Sequence, residues 1–146
     1  MPTVLVVDDE PRIIELMRDW LTLHRYDVVT ASDGHTAIRI AQEQQLDLIL
    51  LDVMMPDLSG IEVCRRLRSE PRIGNTPIIL ISGRDPSGGR VEGLMAGASD
   101  YITKPVNLEG LNERMQVLLG QTLSTDRSGR LLYETVHAAL DILACQ

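Results

Sequence analysis

Five polar or charged side chains stand directly behind strand-like runs of the chain. Asp8 and Asp9 follow Val4-Leu5-Val6-Val7, Asp52 follows Leu48-Ile49-Leu50-Leu51, Ser82 follows Ile78-Ile79-Leu80-Ile81, and Lys104 follows the weaker run from Asp100 to Thr103. Three carboxylates in one pocket repel one another: at about 5 Å and an effective dielectric of about 20, each pair costs roughly 3 kcal/mol, so such a cluster asks for a cation. Oxygen ligands with no His or Cys among them select a hard divalent ion such as Mg2+ or Mn2+, which keeps some waters and accepts a phosphoryl oxygen as a further ligand. Lys104 supplies a point positive charge and Ser82 a hydroxyl donor, both suited to the oxygens of a group attached to Asp52. Taken singly, Asp8 or Asp9 reads as a helix cap, Asp52 as a turn former, Ser82 as a loop residue and Lys104 as a solvated lysine. Their common position at strand carboxyl ends favours phosphoryl chemistry in a shared pocket.

The three aliphatic runs read as strands buried on both faces, and Asp27 to Ala31 and Asp100 to Thr103 complete a set of five. Between and after them lie apolar residues at helical spacing: Ile13, Met17 and Leu21; Ala37 and Ala41; Ile61, Cys64 and Leu67; Val91, Leu94, Met95 and Ala98; and Leu108, Leu111, Met115 and Leu118. Strict alternation predicts a doubly wound α/β fold, with a five-stranded parallel sheet, right-handed crossovers and helices on both faces. In the flavodoxin-like order 2-1-3-4-5, strands one and three are neighbours. Asp8, Asp9 and Asp52 then meet at the carboxyl edge, where the winding reverses and ligands bind. Asp9 can cap the first helix, which has Pro11 in its opening turn, and Ser32-Asp33-Gly34 can open the second.

A chain of 146 residues holds one domain with a short appendage. The domain is placed over residues 1–121. Residues 120–130 are polar and punctuated by glycine, as a linker is, and Leu131 to Ala144 is helical in pattern, with Leu132, Val136, Ala139, Leu140 and Leu143 on one stripe. Thus 122–146 is read as linker plus C-terminal amphipathic helix. Hydrophobic residues at 44% and charged residues at 24% exclude a disordered chain. A net charge of −7 without a basic block argues against direct nucleic-acid binding, and 3% aromatics with no Phe argues against a stacking platform for single strands. Cys64 and Cys145 lie too far apart in sequence for a CxxC metal or redox motif. No apolar run approaches about 18 residues and no signal-peptide layout is present, so the expectation is a cytoplasmic protein that does not engage a membrane.

These residues resemble the receiver domains of two-component response regulators over about residues 1–120. Val6-Val7-Asp8-Asp9-Glu10-Pro11 is similar to the family's acidic pair, and Leu51-Asp52-Val53-Met54-Met55-Pro56-Asp57-Leu58-Ser59-Gly60 to its phosphoacceptor loop. Ile81-Ser82-Gly83 is similar to its switch motif, and Gly97-Ala98-Ser99-Asp100-Tyr101-Ile102-Thr103-Lys104-Pro105 to its terminal signature. The resemblance implies that Asp52 is the phosphoacceptor and that Asp8, Asp9, Asp52 and the Met54 backbone carbonyl hold Mg2+ or Mn2+. It also implies that Ser82 and Lys104 bind the phosphoryl group, that Ser82 and Tyr101 form the switch, and that the Lys104-Pro105 bond is cis. Gly83 in place of the usual Ala and Val106 in place of the common Phe are departures that remove no reacting group.

Competing classes fit less well. An aspartyl-phosphate hydrolase resembles a DxDxT pattern whose second Asp acts as acid, whereas Val53-Met54-Met55 follows Asp52 here. A flavodoxin-like FMN carrier needs a first loop that welcomes phosphate, and Asp8-Asp9-Glu10 repels it. No GxxxxGK[ST] segment supports a nucleotidase. A non-phosphorylated pseudo-receiver usually lacks one of the five groups, and all five are present. The expected role is therefore phosphorelay signalling rather than enzymatic turnover of a substrate, with phosphoryl transfer from a histidine kinase or phosphotransfer protein and slow autodephosphorylation. The output runs to an effector domain or protein. Arg90 and Asp100 match charged positions through which the family's transcription factors pair across the fourth helix, fifth strand and fifth helix, but the paired basic residues expected at the end of helix five are missing. A homodimer through that face or through the C-terminal helix is an expectation. About 25 residues after the domain leave no room for a winged-helix output domain within this sequence.

Overall fold

Five strands alternate with five helices: β1 (Thr3–Val7), α1 (Pro11–Leu23), β2 (Asp27–Ala31), α2 (Gly34–Glu43), β3 (Leu48–Asp52), α3 (Gly60–Arg68), β4 (Ile78–Ser82), α4 (Pro86–Met95), β5 (Asp100–Thr103) and α5 (Leu108–Thr125). The structure, a computed structural model, describes residues 1–83 and 86–125, with 86–89 and 121–125 described by backbone alone. Every strand pair is parallel and the order is β2-β1-β3-β4-β5, as the alternation of elements predicts. The register sets Val7 beside both Ala31 and Leu51, Asp52 beside Ile81, and Ser82 beside Thr103, which aligns the carboxyl ends along one edge. The chain divides into two units, Met1–Val106 and Asn107–Gln146.

Side chains on a strand alternate between faces, so β1, β3 and β4 need apolar residues at every position. Leu5, Val7, Ile49, Leu51, Ile78 and Leu80 join one cluster with Ala37 and Ala41 of α2 and with Ile61, Cys64 and Leu67 of α3. Val4, Val6, Leu48, Leu50, Ile79 and Ile81 alternate to the opposite face and are likewise buried. Each fully buried aliphatic side chain contributes about 1.5–3 kcal/mol, which holds the central strands rigid beneath the edge they support.

Local signals set most helix starts. Asp33 caps α2 by accepting from the Thr36 N–H at 2.7 Å, and Ser59 caps α3 by accepting from the Glu62 N–H at 3.2 Å. The expected Asp9 cap on α1 is not formed. The N-cap residue is Glu10, with no side-chain cap bond, and its N–H donates to Asp8 Oδ1 at 2.9 Å. Pro11 opens the helix without an N–H to satisfy, so the Asp9 carboxylate is not needed there.

Two further expectations change. Val91, Leu94 and Met95 of α4 are exposed, while Gly93 and Ala96 face inward. A Cβ at Gly93 would lie 2.6 Å from Leu80 Cδ1 and 3.3 Å from Tyr101 Cδ2, so α4 approaches the sheet on the side that carries no side chain. Helix α5 continues to Thr125, through residues read as the start of a linker. Gly120 costs a helix interior only about 1 kcal/mol, and no proline interrupts the run. In α5, Leu111, Met115 and Leu119 are buried, whereas the predicted Leu108 and Leu118 are half-buried. The C-terminal helix read over Leu131 to Ala144 and Cys145 lie outside the described residues. The Lys104-Pro105 bond is cis.

The loop between β3 and α3 folds back on its own start. The Gly60 N–H donates to the Val53 carbonyl at 2.9 Å, and a Cβ on Gly60 would sit 2.3 Å from the Asp52 carbonyl oxygen. No side-chain rotation relieves a clash with backbone. Gly60→Ala is expected to lower the unfolding free energy by about 3 kcal/mol in urea titrations, as overpacking against a fixed main chain does; wild-type stability in that variant would contradict the close approach.

Candidate functional site

Parallel pairing turns the strand ends into a site. Asp8 lies one residue past β1, Asp52 ends β3, Ser82 ends β4, and Lys104 lies one residue past β5. Main-chain bonds extend the ladder across this rim: Asp8 N–H to Ala31 O at 3.2 Å, Val53 N–H to Ile81 O at 3.0 Å, and Lys104 N–H to Ser82 O at 2.7 Å. The rim is therefore as rigid as the sheet.

Among the described residues, the buried polar or charged ones are Asp8 and Asp52, each 4% exposed, and Ser82, fully buried. Burial of this kind is uncommon for unpaired charges. Asp8, Asp9 and Asp52 each offer a carboxylate oxygen, and these atoms lie within 4.8 Å of one another; Asp9 is the exposed member. Lys104 Nζ reaches Asp8 Oδ2 at 3.2 Å and Asp52 Oδ1 at 3.3 Å. It is the sole lysine in the sequence, the other 13 of 14 basic residues being arginines. Its compact ammonium places a point charge within reach of both carboxylates.

One ammonium against three carboxylates leaves the pocket negative. Burial pushes the Asp52 carboxyl up, Asp8 adds repulsion, and Lys104 with the Met54 N–H only partly offsets them, so its pKa stands at about 6. For Lys104, burial works downward, but Asp52 and Asp8 outweigh it and hold the ammonium above its ordinary value. Asp52 Oδ1 is buried without a well-aligned hydrogen bond, the ion pair with Lys104 aside. A charge-dense, oxygen-only donor set with an unsatisfied buried oxygen fits a hard divalent cation and a phosphoryl oxygen.

Tyr101 stands inside the apolar cluster, 3% exposed, with its hydroxyl buried and without a hydrogen-bond partner. The ring lies inward, in the space that Gly93 leaves. The Met54 side chain is exposed. Sequence reading missed the role of Asp57, which it saw only as part of a loop motif. Its carboxylate accepts the Gly34 and His35 N–H groups at 3.0 Å each and pairs with His35 Nδ1 at 2.7 Å. Spacing could not reveal this, because the partners are 22 and 23 residues away.

Residues 4–116 match the response regulator receiver domain family, and the chain belongs to it. The chain is 42% identical over 131 residues to the probable transcriptional regulatory protein TcrX of Mycobacterium tuberculosis, covering 89% of this chain and 55% of that protein. It is 44% identical over 116 residues to the alkaline phosphatase synthesis transcriptional regulatory protein PhoP of Bacillus subtilis, covering 80% and 48%. It thus spans about half the length of these relatives. Among solved structures, the Francisella response regulator 1452 receiver domain superimposes with a TM-score of 0.79 at 34% identity, covering 84% of this chain and 99% of that one. TrrA from Thermotoga maritima, solved in complex with Mg2+ and BeF, gives 0.73 at 33% identity, covering 81% and 99%. No described helix is long and apolar enough to cross a membrane.

The raised Asp52 pKa has a measurable sign. A carboxyl that titrates at about 6 when folded, against about 3.9 unfolded, contributes stability that is full below about pH 4 and lost as pH rises through 6, a loss of up to about 3 kcal/mol. Asp52→Asn removes that loss. In urea titrations with EDTA, the stability of Asp52→Asn relative to wild type is expected to grow between pH 4 and pH 7.5; a difference independent of pH would show that Asp52 is not held in this environment.

Proposed function

We propose that Asp52 accepts a phosphoryl group from the phosphohistidine of a histidine kinase or phosphotransfer protein, and that the switched domain signals to an effector. The observation that carries this reading is the burial of Asp52 beside Asp8 with Lys104 between them, at the carboxyl edge of the sheet. An Asp52 carboxylate oxygen attacks phosphorus; the P–N bond breaks, its electron pair stays on the imidazole, and an acyl phosphate remains. Asp8, Asp9, Asp52 and the Met54 carbonyl are the residues to hold Mg2+ or Mn2+, which when bound neutralises charge on the transferred group. Lys104 and the Ser82 hydroxyl bind phosphoryl oxygens, and the rigid rim keeps Asp52 aligned, which is where a weak nucleophile gains most. Attack of water on phosphorus later restores the carboxylate, a slow self-reaction rather than turnover of a substrate. The domain, 1–121, acts in the cytoplasm and binds neither nucleic acid nor membrane directly. Its effect passes through 122–146 or through α4 and β5, to an effector or a second copy.

Incubation with acetyl phosphate and Mg2+ is expected to add one phosphoryl group to wild type by intact mass, and none to Asp52→Asn or in EDTA. Labelling of the variant would sink the assignment.

The switch generates a second expectation. Once Ser82 and Lys104 hold the phosphoryl oxygens, Ser82 is drawn toward the phosphoryl group and the packing of α4 and β5 around Tyr101 changes. Ser82→Ala should still label while losing most of the phosphorylation-dependent chemical-shift change in α4 and β5. Equal changes in both proteins would remove Ser82 from the switch.

A further inference from the structure

Two carboxylates satisfy the N-terminus of α2, and they come from different places. Asp33, the local cap, accepts from the Thr36 N–H at 2.7 Å. Asp57 arrives from the loop between β3 and α3, five residues past Asp52, and takes the Gly34 and His35 N–H groups at 3.0 Å each and His35 Nδ1 at 2.7 Å. The second arrangement is stronger than a helix needs. Led by the Gly34 N–H, these bonds hold the Asp57 carboxyl well below the ordinary range. Close packing accompanies them, since a Cβ on Gly34 would lie 2.8 Å from Val63 Cγ2 and 2.9 Å from Leu58 Cβ. At its other end the loop is closed by the Gly60 N–H on the Val53 carbonyl. Met54, whose carbonyl is assigned to the cation, lies between these two fastenings, and its side chain is exposed.

We infer that Asp57 is a positioning residue for the cation site: by bolting the middle of the loop 53–60 to the α2 N-terminus, it fixes the Met54 carbonyl before the cation binds. This rests on the proposed phosphoacceptor reading. Groups that orient metal ligands from outside the coordination sphere commonly carry a 10–100-fold share of affinity, and a loop held in advance has less freedom to lose on binding.

Asp33 supplies the control, because its removal uncaps the same helix without touching the loop. Titration of purified protein with MgCl2 by calorimetry is expected to give a dissociation constant about tenfold weaker in Asp57→Ala than in wild type. In Asp33→Ala it should stay within about twofold of wild type, although both variants melt earlier. Asp57→Asn, whose amide oxygen accepts an N–H but carries no charge, should fall between. In cation-free protein, amide hydrogen exchange across 53–60 should quicken in Asp57→Ala and not in Asp33→Ala. A constant for Asp57→Ala within about twofold of wild type, or one that Asp33→Ala weakens equally, overturns the inference. If Asp57→Ala does not fold, Asp57→Asn is held to the same limits. Wild type that fails to bind Mg2+ defeats the phosphoacceptor reading instead, and the exchange comparison still decides whether Asp57 fixes the loop.

Discussion

Two buried carboxylates share a single ammonium at the end of the sheet. Lys104 Nζ lies 3.2 Å from Asp8 and 3.3 Å from Asp52, and each acid is only 4% exposed. Like charges at this spacing cost on the order of 3 kcal/mol per pair even with generous screening, so the pocket persists only because a packed scaffold imposes it. The aliphatic runs of β1, β3 and β4 are that scaffold. Their burial on both faces leaves no soft direction in which the acids could separate, and the parallel register brings their carboxyl ends to one line.

The two edges of the sheet are stabilised by different means. At the carboxyl edge, anions face a cation and the electrostatics remain incomplete. Toward the other edge, Arg68 at the end of α3 donates from its guanidinium to the carbonyls of Gly97, Gly74 and Thr76 and reaches Ser99 Oγ. Those acceptors are neutral dipoles, and burial among them pulls the Arg68 guanidinium below its ordinary value. Gly97, at φ +106° and with Arg68 Cγ 2.6 Å from where a Cβ would stand, fits beneath the same side chain.

Much of this was legible in the sequence because strand periodicity and strand ends are local features. Val4 to Val7, Leu48 to Leu51 and Ile78 to Ile81 announce strands, and whatever follows them must fall at the rim; Asp8, Asp52, Ser82 and Lys104 were placed in that way. Errors arose where a local preference met a tertiary constraint. Asp9 has the chemistry of a cap, yet Asp8 took the Glu10 N–H and Pro11 removed the need. Val91, Leu94 and Met95 have the spacing of a buried stripe, yet Gly93 allows a closer approach to Leu80 and Tyr101 than a side chain would. Asp57 was invisible because a loop carboxylate gives no sign of which helix it will meet.

Gly93 also governs how Tyr101 is packed. The Tyr101 ring fills space that exists because residue 93 lacks a Cβ, and its hydroxyl is buried without a partner. An unsatisfied buried hydroxyl costs about 1–3 kcal/mol, so the inward ring gains packing and forgoes a hydrogen bond. Lys104 and Ser82 sit at the ends of β5 and β4, the two strands whose pairing sets Tyr101 beside Leu80. Under the proposed phosphoacceptor reading, bonds that Lys104 or Ser82 makes to a group on Asp52 act on those two strands, and α4 packs against Tyr101 at Gly93. The glycine that seats α4 on Tyr101 is thus the one that leaves Val91, Leu94 and Met95 turned outward.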